Sequence, residues 1–329
     1  MQMTSNVHCV QRSELAVPAT SPHFFEKAAR GRADTVFLDL EDAVIPSEKS
    51  AGRIAAIRAL NTIDWGKKRM LVRVNGLDTP WGYRDIVEVA ESCPRFDAIL
   101  LPKANERRDI EFVETLLRGV EAATNRNNPI GIEALIETAL GMANVEQIAA
   151  ASPRLESLVF GVGDFIASMR TPDLVMGGFN ADYAVLTNAG DDGERRRYYA
   201  DQWHFALARV ATACRAHGLR PIDGPYTDFK DIEGYRASAL RARSLGFDGK
   251  WAIHPDQIPV ANDVFAPTAE AVAWARHVNN AMREGAANGR GAVKVDGGMI
   301  DIAHLKLAEN ILGMVEAIRE SAAGGTPPR

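Results

Sequence analysis

From residue 13 to about residue 265 the chain alternates short apolar, β-branched runs with longer amphipathic stretches. The apolar runs are SELAVPA (13–19), TVFLDLED (35–42), MLVRVN (70–75) and AILLPK (98–103). They continue with IGIEALIE (130–137), LESLVFGVGD (155–164), LRPIDGP (219–225) and KWAIHP (250–255). Several are hydrophobic almost without interruption, as parallel strands buried on both faces must be. The gaps EKSAGRIAAIRAL, RRDIEFVETLLRGVEAA, MANVEQIAAA, WHFALARVATACRAHG and YRASALRARSLG carry apolar residues at helical spacing. Pro22 and Gly31 bracket a first, shorter helix. Eight strands alternating with helices predict a (β/α)8 TIM barrel. An open doubly wound sheet is the structural rival, but no glycine-rich phosphate fingerprint follows the first strand.

Two stretches exceed a minimal barrel. Roughly 30 residues, Phe165 to Arg197, separate the sixth strand from its helix and read as a long loop over the barrel mouth. Beyond the barrel, TAEAVAWARHVNNAMREGA reads as a helix, GRGAVKVDGGMID as a glycine-rich connection and IAHLKLAENILGMVEAIRES as a second helix. The domain reading is therefore a barrel over residues 1–265 and a C-terminal helical extension over 266–329, packed outside the barrel or on a neighbouring subunit. The final AAGGTPPR reads as a frayed end.

Composition narrows the class. With 46% hydrophobic and 25% charged residues the chain has the balance of a soluble globular protein. A net charge of −5 offers no basic footprint, so nucleic acid is not an expected partner. No apolar run approaches the ~20 residues of a membrane span, and the first residues lack the apolar core of a signal peptide. Cys9, Cys93 and Cys214 are odd in number and show no metal or redox spacing. A cytoplasmic protein with free thiols is the expectation.

Barrel enzymes gather their chemistry at strand C-termini. The polar residues there are Asp39, Glu41, Asp42, Arg73, Lys103, Glu137, Asp164, Asp223 and His254. Mg²⁺ takes one or two protein carboxylates and keeps waters for substrate to displace, which suits Glu137 and Asp164 at the ends of consecutive strands. Equally, each could cap the following helix or pair with Arg73 or Lys103. Arg73 lies among apolar residues, where a planar guanidinium suits a carboxylate or a developing oxyanion; an ion pair with Glu41 or Asp42 is its structural alternative. Glu41 and Asp42 would hold metal-bound waters or tether Arg73 and Lys103. Lys103 suits charge neutralisation or substrate binding better than a Schiff base. His254, before a proline, reads as a hydrogen-bonded structural residue. No serine or cysteine has the setting of a nucleophile.

With these residues in place, the chain resembles the citrate lyase β-subunit-like (HpcH/HpaI aldolase) superfamily, and within it the malyl-CoA/β-methylmalyl-CoA lyases. The resemblance runs from Arg12 to Ile318. It is carried by FLDLEDAV (37–44), VRVNGLDTPW (72–81), ILLPK (99–103), ETALGMANVEQIAAASPRL (137–155), GVGDFIASM (161–169), DGPYTDF (223–229), GKWAIHPDQI (249–258) and GGMID (297–301). It implies that Glu137 and Asp164 bind Mg²⁺, with Mn²⁺ as an alternative ion, and that Arg73 holds a keto acid. It also implies that Asp301 acts as acid/base from an adjacent subunit of a homotrimer or a dimer of trimers, the tail serving as a lid. Relatives commonly carry a glycine and an arginine after the first strand to hold CoA. Here Pro18-Ala19-Thr20-Ser21 stands instead, and Arg12 or Lys27 is the possible substitute.

The activity implied is Mg²⁺-dependent, reversible aldol cleavage of a 3-hydroxyacyl-CoA thioester such as malyl-CoA or β-methylmalyl-CoA. The products are glyoxylate and acetyl-CoA or propionyl-CoA. The alternatives are a malyl-CoA thioesterase, a lyase for a citramalyl-, citryl- or acyl-carrier-bound substrate, and a non-enzymatic CoA-ester-binding scaffold.

Overall fold

The computed structural model describes residues 9–172, 176–295 and 297–323. Eight parallel strands close into a barrel: β1 (Ser13–Pro18), β2 (Thr35–Asp39), β3 (Arg69–Arg73), β4 (Ala98–Leu101), β5 (Gly131–Ile136), β6 (Leu155–Phe160), then β9 (Arg220–Asp223) and β10 (Gly249–Ala252), which pairs back on β1. Each of the eight apolar runs contributes one of these strands. Helices α1 (Phe25–Arg30), α2 (Lys49–Thr62), α3 (Gly82–Ser92), α4 (Arg107–Thr124), α5 (Ala139–Ala143) and α6 (Val145–Ala149) fill the early crossovers. Helices α7 (Val162–Met169), α8 (His204–His217) and α9 (Ile232–Ser244) follow, and α10 (Gln257–Val264) comes after the last strand. Arg12–Asn262 form one compact unit, and the rest of the described chain forms another. No helix among the described residues is long and apolar enough to cross a membrane.

Alternation along the strands fills the barrel. Phe37, Leu71, Leu100, Leu135, Val159, Ile222 and Trp251 meet in one buried cluster. The residues two positions further on therefore point to the same interior, one layer nearer the mouth. They include Asp39, Arg73 and Glu137. Backbone pairing continues past the strand ends: Leu40 N–H donates to the Arg73 carbonyl at 2.9 Å, Val74 N–H to Leu100 at 3.2 Å and Gly161 N–H to Ile136 at 3.1 Å. These bonds hold the first loop residues as firmly as the strands themselves. Helix ends are set locally: Glu106 and Asp109 form a reciprocal capping box on α4, and Gly218 ends α8 in the left-handed conformation at φ 73°.

Three expectations need correction. The sixth run does not extend to Asp164: the strand stops at Phe160, and Gly161 turns the chain into α7, so Asp164 lies in a helical first turn. The loop from Phe165 to Arg197 is not structureless. It contains most of α7 and strand β7 (Ala184–Leu186), which pairs antiparallel with β8 (Arg197–Tyr199); Asp173–Val175 lie outside the described residues. The glycine-rich connection is likewise a hairpin of β11 (Val293–Val295) and β12 (Gly298–Ile300), with Asp296 undescribed.

In the second unit that hairpin accompanies helices α11 (Ala269–Ala287) and α12 (Ile302–Ala323). Ala275, Val278, Met282, Ile300 and Ala308 make its own small core. The last residues of the expected frayed end, 324–329, lie outside the described residues. Cys93 and Cys214 are buried, and all three cysteines are free.

Candidate active site

Strands β2 and β3 build the first half of the site. Their register sets Asp39 directly opposite Arg73, so the two side chains meet on one face. Arg73 Nε and Nη2 donate to the two carboxylate oxygens of Asp39, each at 2.7 Å, and Nη1 lies 3.2 Å from Glu41 Oε2. Below the guanidinium lie the Phe37 and Trp251 rings, with centroids 5.8 and 5.6 Å from Cζ. Burial by itself would weaken the hold of Arg73 on its proton; the carboxylates of Asp39 and Glu41 reverse that and raise its pKa. The guanidinium is thus a permanent, fixed cation on an apolar floor. The turn after β2 is held from beneath by buried Lys49, whose Nζ donates to the carbonyls of Leu40 and Glu41 at 2.9 and 2.8 Å.

Lys103, after β4, joins the two halves. It takes the left-handed conformation at φ 50°, which costs a side-chain-bearing residue about 1 kcal/mol. That twist lets its backbone N–H donate to Glu137 Oε1 at 2.8 Å. Its Nζ meets the carboxylate of Glu41, lies 3.0 Å from Asp164 Oδ2 and 3.8 Å from Asp42 Oδ1. Burial would lower the Lys103 pKa, but Glu41 and Asp164 outweigh it and raise it. Burial likewise works against the charged form of Glu41, and Arg73 and Lys103 overcome it, so its pKa is lowered.

Glu137 directly follows β5 and is almost fully buried. Burial, with Asp164 adding to it against the opposing pull of Arg73, pushes its carboxyl up to about 8. Its place depends on a missing side chain opposite: a Cβ on Gly161 would lie 2.5 Å from Glu137 Cβ and 2.6 Å from Oε2. Asp42 is half out in solvent, and partial burial beside Glu41 raises it to about 6.

Several observations fit this site to a cation. Oxygens of Glu41, Asp42 and Asp164 come within 4.8 Å of one another. Asp164 Oδ2 is buried, with the Lys103 ammonium 3.0 Å away as its charged neighbour. Five carboxyls (Asp39, Glu41, Asp42, Glu137, Asp164) surround the two cationic side chains Arg73 and Lys103. Hard oxygens in excess over positive charge are the donor set of a hard divalent ion. Glu137, Asp164, Glu41, Asp42, Lys103 and Arg73 are therefore brought together; the ion-pair alternatives are realised for Arg73 with Glu41 and for Asp164 with Lys103, whereas neither Glu137 nor Asp164 caps the helix that follows it.

Sequence reasoning gave no role to Asp39, the main partner of Arg73, or to Lys49. Asp39 was findable, being two residues beyond inward-facing Phe37 on a neighbouring strand; Lys49 carries no signal inside a helical pattern. Arg12 cannot stand in for the absent turn arginine. It precedes β1, at the opposite end of the barrel, and is bound by both oxygens of Asp34 at 2.9 Å. Lys27 is exposed on α1. His254 stacks on Phe229 with centroids 4.9 Å apart and accepts from Asp256 N–H at 3.3 Å, a structural setting.

Asp301 belongs to the second compact unit, where it precedes α12. Its Oδ1 accepts from Ala303 N–H at 3.0 Å and from His304 N–H at 3.4 Å, and lies 2.8 Å from His304 Nδ1. The His304 side chain, with the two N–H groups, lowers its pKa. Asp301 is exposed.

Comparison with known proteins places the chain in a family. The HpcH/HpaI aldolase/citrate lyase family model matches residues 12–255. An L-malyl-CoA/β-methylmalyl-CoA lyase of Cereibacter sphaeroides is 46% identical over 308 residues, covering 93% of this chain and 95% of the relative. A (3S)-malyl-CoA thioesterase of the same organism is 35% identical, covering 93% and 95%. Among solved structures, CitE of Mycobacterium tuberculosis in complex with magnesium, acetoacetate and coenzyme A superimposes with a TM-score of 0.69 at 30% identity, over 92% of this chain and 97% of that one.

Proposed function

Because the chain belongs to the HpcH/HpaI aldolase/citrate lyase family, we propose that its barrel mouth is the active site of a Mg²⁺-dependent carbon–carbon lyase. Its substrate would be a 3-hydroxyacyl-CoA, L-malyl-CoA or β-methylmalyl-CoA, cleaved reversibly to glyoxylate and acetyl-CoA or propionyl-CoA. The observation that carries this reading is the excess of carboxylates around one fixed guanidinium. Glu137 and Asp164 would hold the ion, with Glu41 and Asp42 facing its waters; Mn²⁺ suits the same oxygens. A bound Mg²⁺ supplies Lewis-acid polarisation of the hydroxyl that becomes the glyoxylate carbonyl.

The chain's own residues account for the rest. Two of the guanidinium's five N–H groups donate to Asp39, and Nη1 stands in ion contact with Glu41. The remainder are free to bind glyoxylate oxygens and neutralise their charge as the bond breaks. Lys103 keeps Glu41 and Asp164 from repelling one another. In cleavage the hydroxyl proton would pass to solvent water as the bond between the hydroxyl-bearing carbon and the α-carbon breaks. Its electron pair passes to the thioester as an enolate, and Asp301, having taken up a proton from solvent, gives it to the α-carbon. In condensation Asp301 takes that proton back as general base. Asp301 would come from a neighbouring chain of a homotrimer or dimer of trimers, with the extension from residue 266 as the lid; the setting is cytoplasmic.

The test supplies malyl-CoA with and without Mg²⁺ and traps glyoxylate as its phenylhydrazone. Glyoxylate that appears only with the metal supports the lyase. No glyoxylate from malyl-, β-methylmalyl- or citramalyl-CoA would end that reading. The relative that is a thioesterase keeps hydrolysis as a second reading, identified by free thiol released without glyoxylate.

A further inference from the structure

The hairpin β7–β8, inserted between α7 and α8, has no place in the barrel. Among the described residues its two strands pair only with each other, Ala184 with Tyr199, Val185 with Tyr198 and Leu186 with Arg197. A two-stranded ribbon is marginal in water unless one face is covered, yet here apolar side chains stand open on both. Val185 and Tyr198, opposite one another, are 67% and 62% exposed. Tyr199 meets Phe179 edge-on at 5.2 Å, and Phe179 is itself 69% exposed. Surface aromatics clustered in this way mark an interaction site.

The charges at the turn say what covers it. Asp191, Asp192 and Glu194 are followed directly by Arg195, Arg196 and Arg197. Only one ion pair within this group is made among the described residues, an exposed contact of Arg196 with Asp192 at 3.2 Å. Three acids beside three bases cancel, which suits neither an anionic membrane nor nucleic acid. The same string is self-complementary: across a two-fold axis the acids of one hairpin face the arginines of another, as an isologous interface requires. We propose that this hairpin is a self-association surface whose partner is the same hairpin of a second copy of the chain. Apolar contact of Val185 and Tyr198 would supply the burial, and the two reciprocal sets of charge the register.

The test is the mass of the full chain by light scattering during size-exclusion chromatography, with circular dichroism to confirm folding. Asp191→Arg with Asp192→Arg and Glu194→Arg should lower the parent mass, as should Arg195→Glu with Arg196→Glu and Arg197→Glu. An equimolar mixture of the two triple variants should restore it. A monomeric parent, triple variants of undiminished mass, or a mixture that stays at the lower mass would each overturn the proposal. Should the triple variants misfold, Val185→Cys provides a second measurement. Cys93 and Cys214 are buried and will not compete, but Cys9 is partly exposed; in a Cys9→Ser background a short bis-maleimide should join two chains with Val185→Cys but not without it, and equal cross-linking in both would count against the hairpin.

Discussion

Arg73 owes its function to what it cannot do. Bound through two parallel bonds to Asp39, it neither swings away nor gives up its proton, so its charge costs no reorganisation when an oxygen becomes anionic above it. Lysine in that place keeps the charge and loses the fork. Arg73→Lys should therefore lower kcat by about 10²-fold, read from glyoxylate formation, with the thermal midpoint nearly unchanged. Gly161 makes a different point. Its contribution is the absence of a Cβ that would collide with Glu137. Gly161→Ala should weaken Mg²⁺ binding at least about tenfold, the scale on which misplaced supports of ligands are felt, as measured by calorimetry. Unaltered binding would remove Glu137 from the ion's surroundings.

At the scale of elements, the mouth is only as rigid as the packing that fixes the strands. Glu121 on α4 illustrates this away from the site. It accepts from Arg154, just before β6, at 2.7 and 2.6 Å and from Ile130 N–H, at the start of β5, at 2.7 Å. One carboxylate thus ties a helix to two neighbouring strands. Burial works against its charged form; Arg154 and the Ile130 N–H outweigh that, and its pKa is lowered. A lowered carboxyl stabilises the fold above the unfolded value, about 4.3, and that contribution is lost as pH falls through the folded value. Glu121→Gln should cost about 2 kcal/mol at pH 7, with the gap to the parent closing below pH ~4. Denaturant unfolding at several pH values would show it, and a gap independent of pH would contradict the ion pair.

The elements also show how far local pattern carries. The barrel strands were legible because each is a short apolar run bounded by breakers, and a parallel strand needs nothing more. GVGD was read as strand because it prolongs such a run; Gly161 bends it away. Strands β7 and β8 were missed because three-residue strands with open faces leave no period to detect.

For the whole molecule the decisive question is whether one chain completes its own site. If Asp301 serves a neighbour, Asp301→Asn and Arg73→Ala should each be inactive alone, yet mixed, reassembled oligomers should recover part of the turnover. Each such oligomer would contain sites with an intact Arg73 from one chain and an intact Asp301 from the other. Mixtures as inactive as their components would place Asp301 in its own chain's site or outside catalysis. In Asp301→Asn, Mg²⁺ binding should persist, since the role proposed for its carboxylate is proton transfer and not coordination.

The sequence by itself determined the barrel, the order of its strands and the presence of Arg73, Glu137 and Asp164 at its mouth. Those properties depend on period and burial, which neighbouring residues express together. Only the tertiary structure decided the pairings: Asp39 rather than Glu41 or Asp42 as the main hold on Arg73, and Lys103 twisted to serve Glu137 with its backbone and Glu41 and Asp164 with its side chain. These partners stand 34 to 62 residues apart in the chain. Strand register and barrel closure bring them within hydrogen-bonding distance, and no local pattern encodes a distance across a closed sheet.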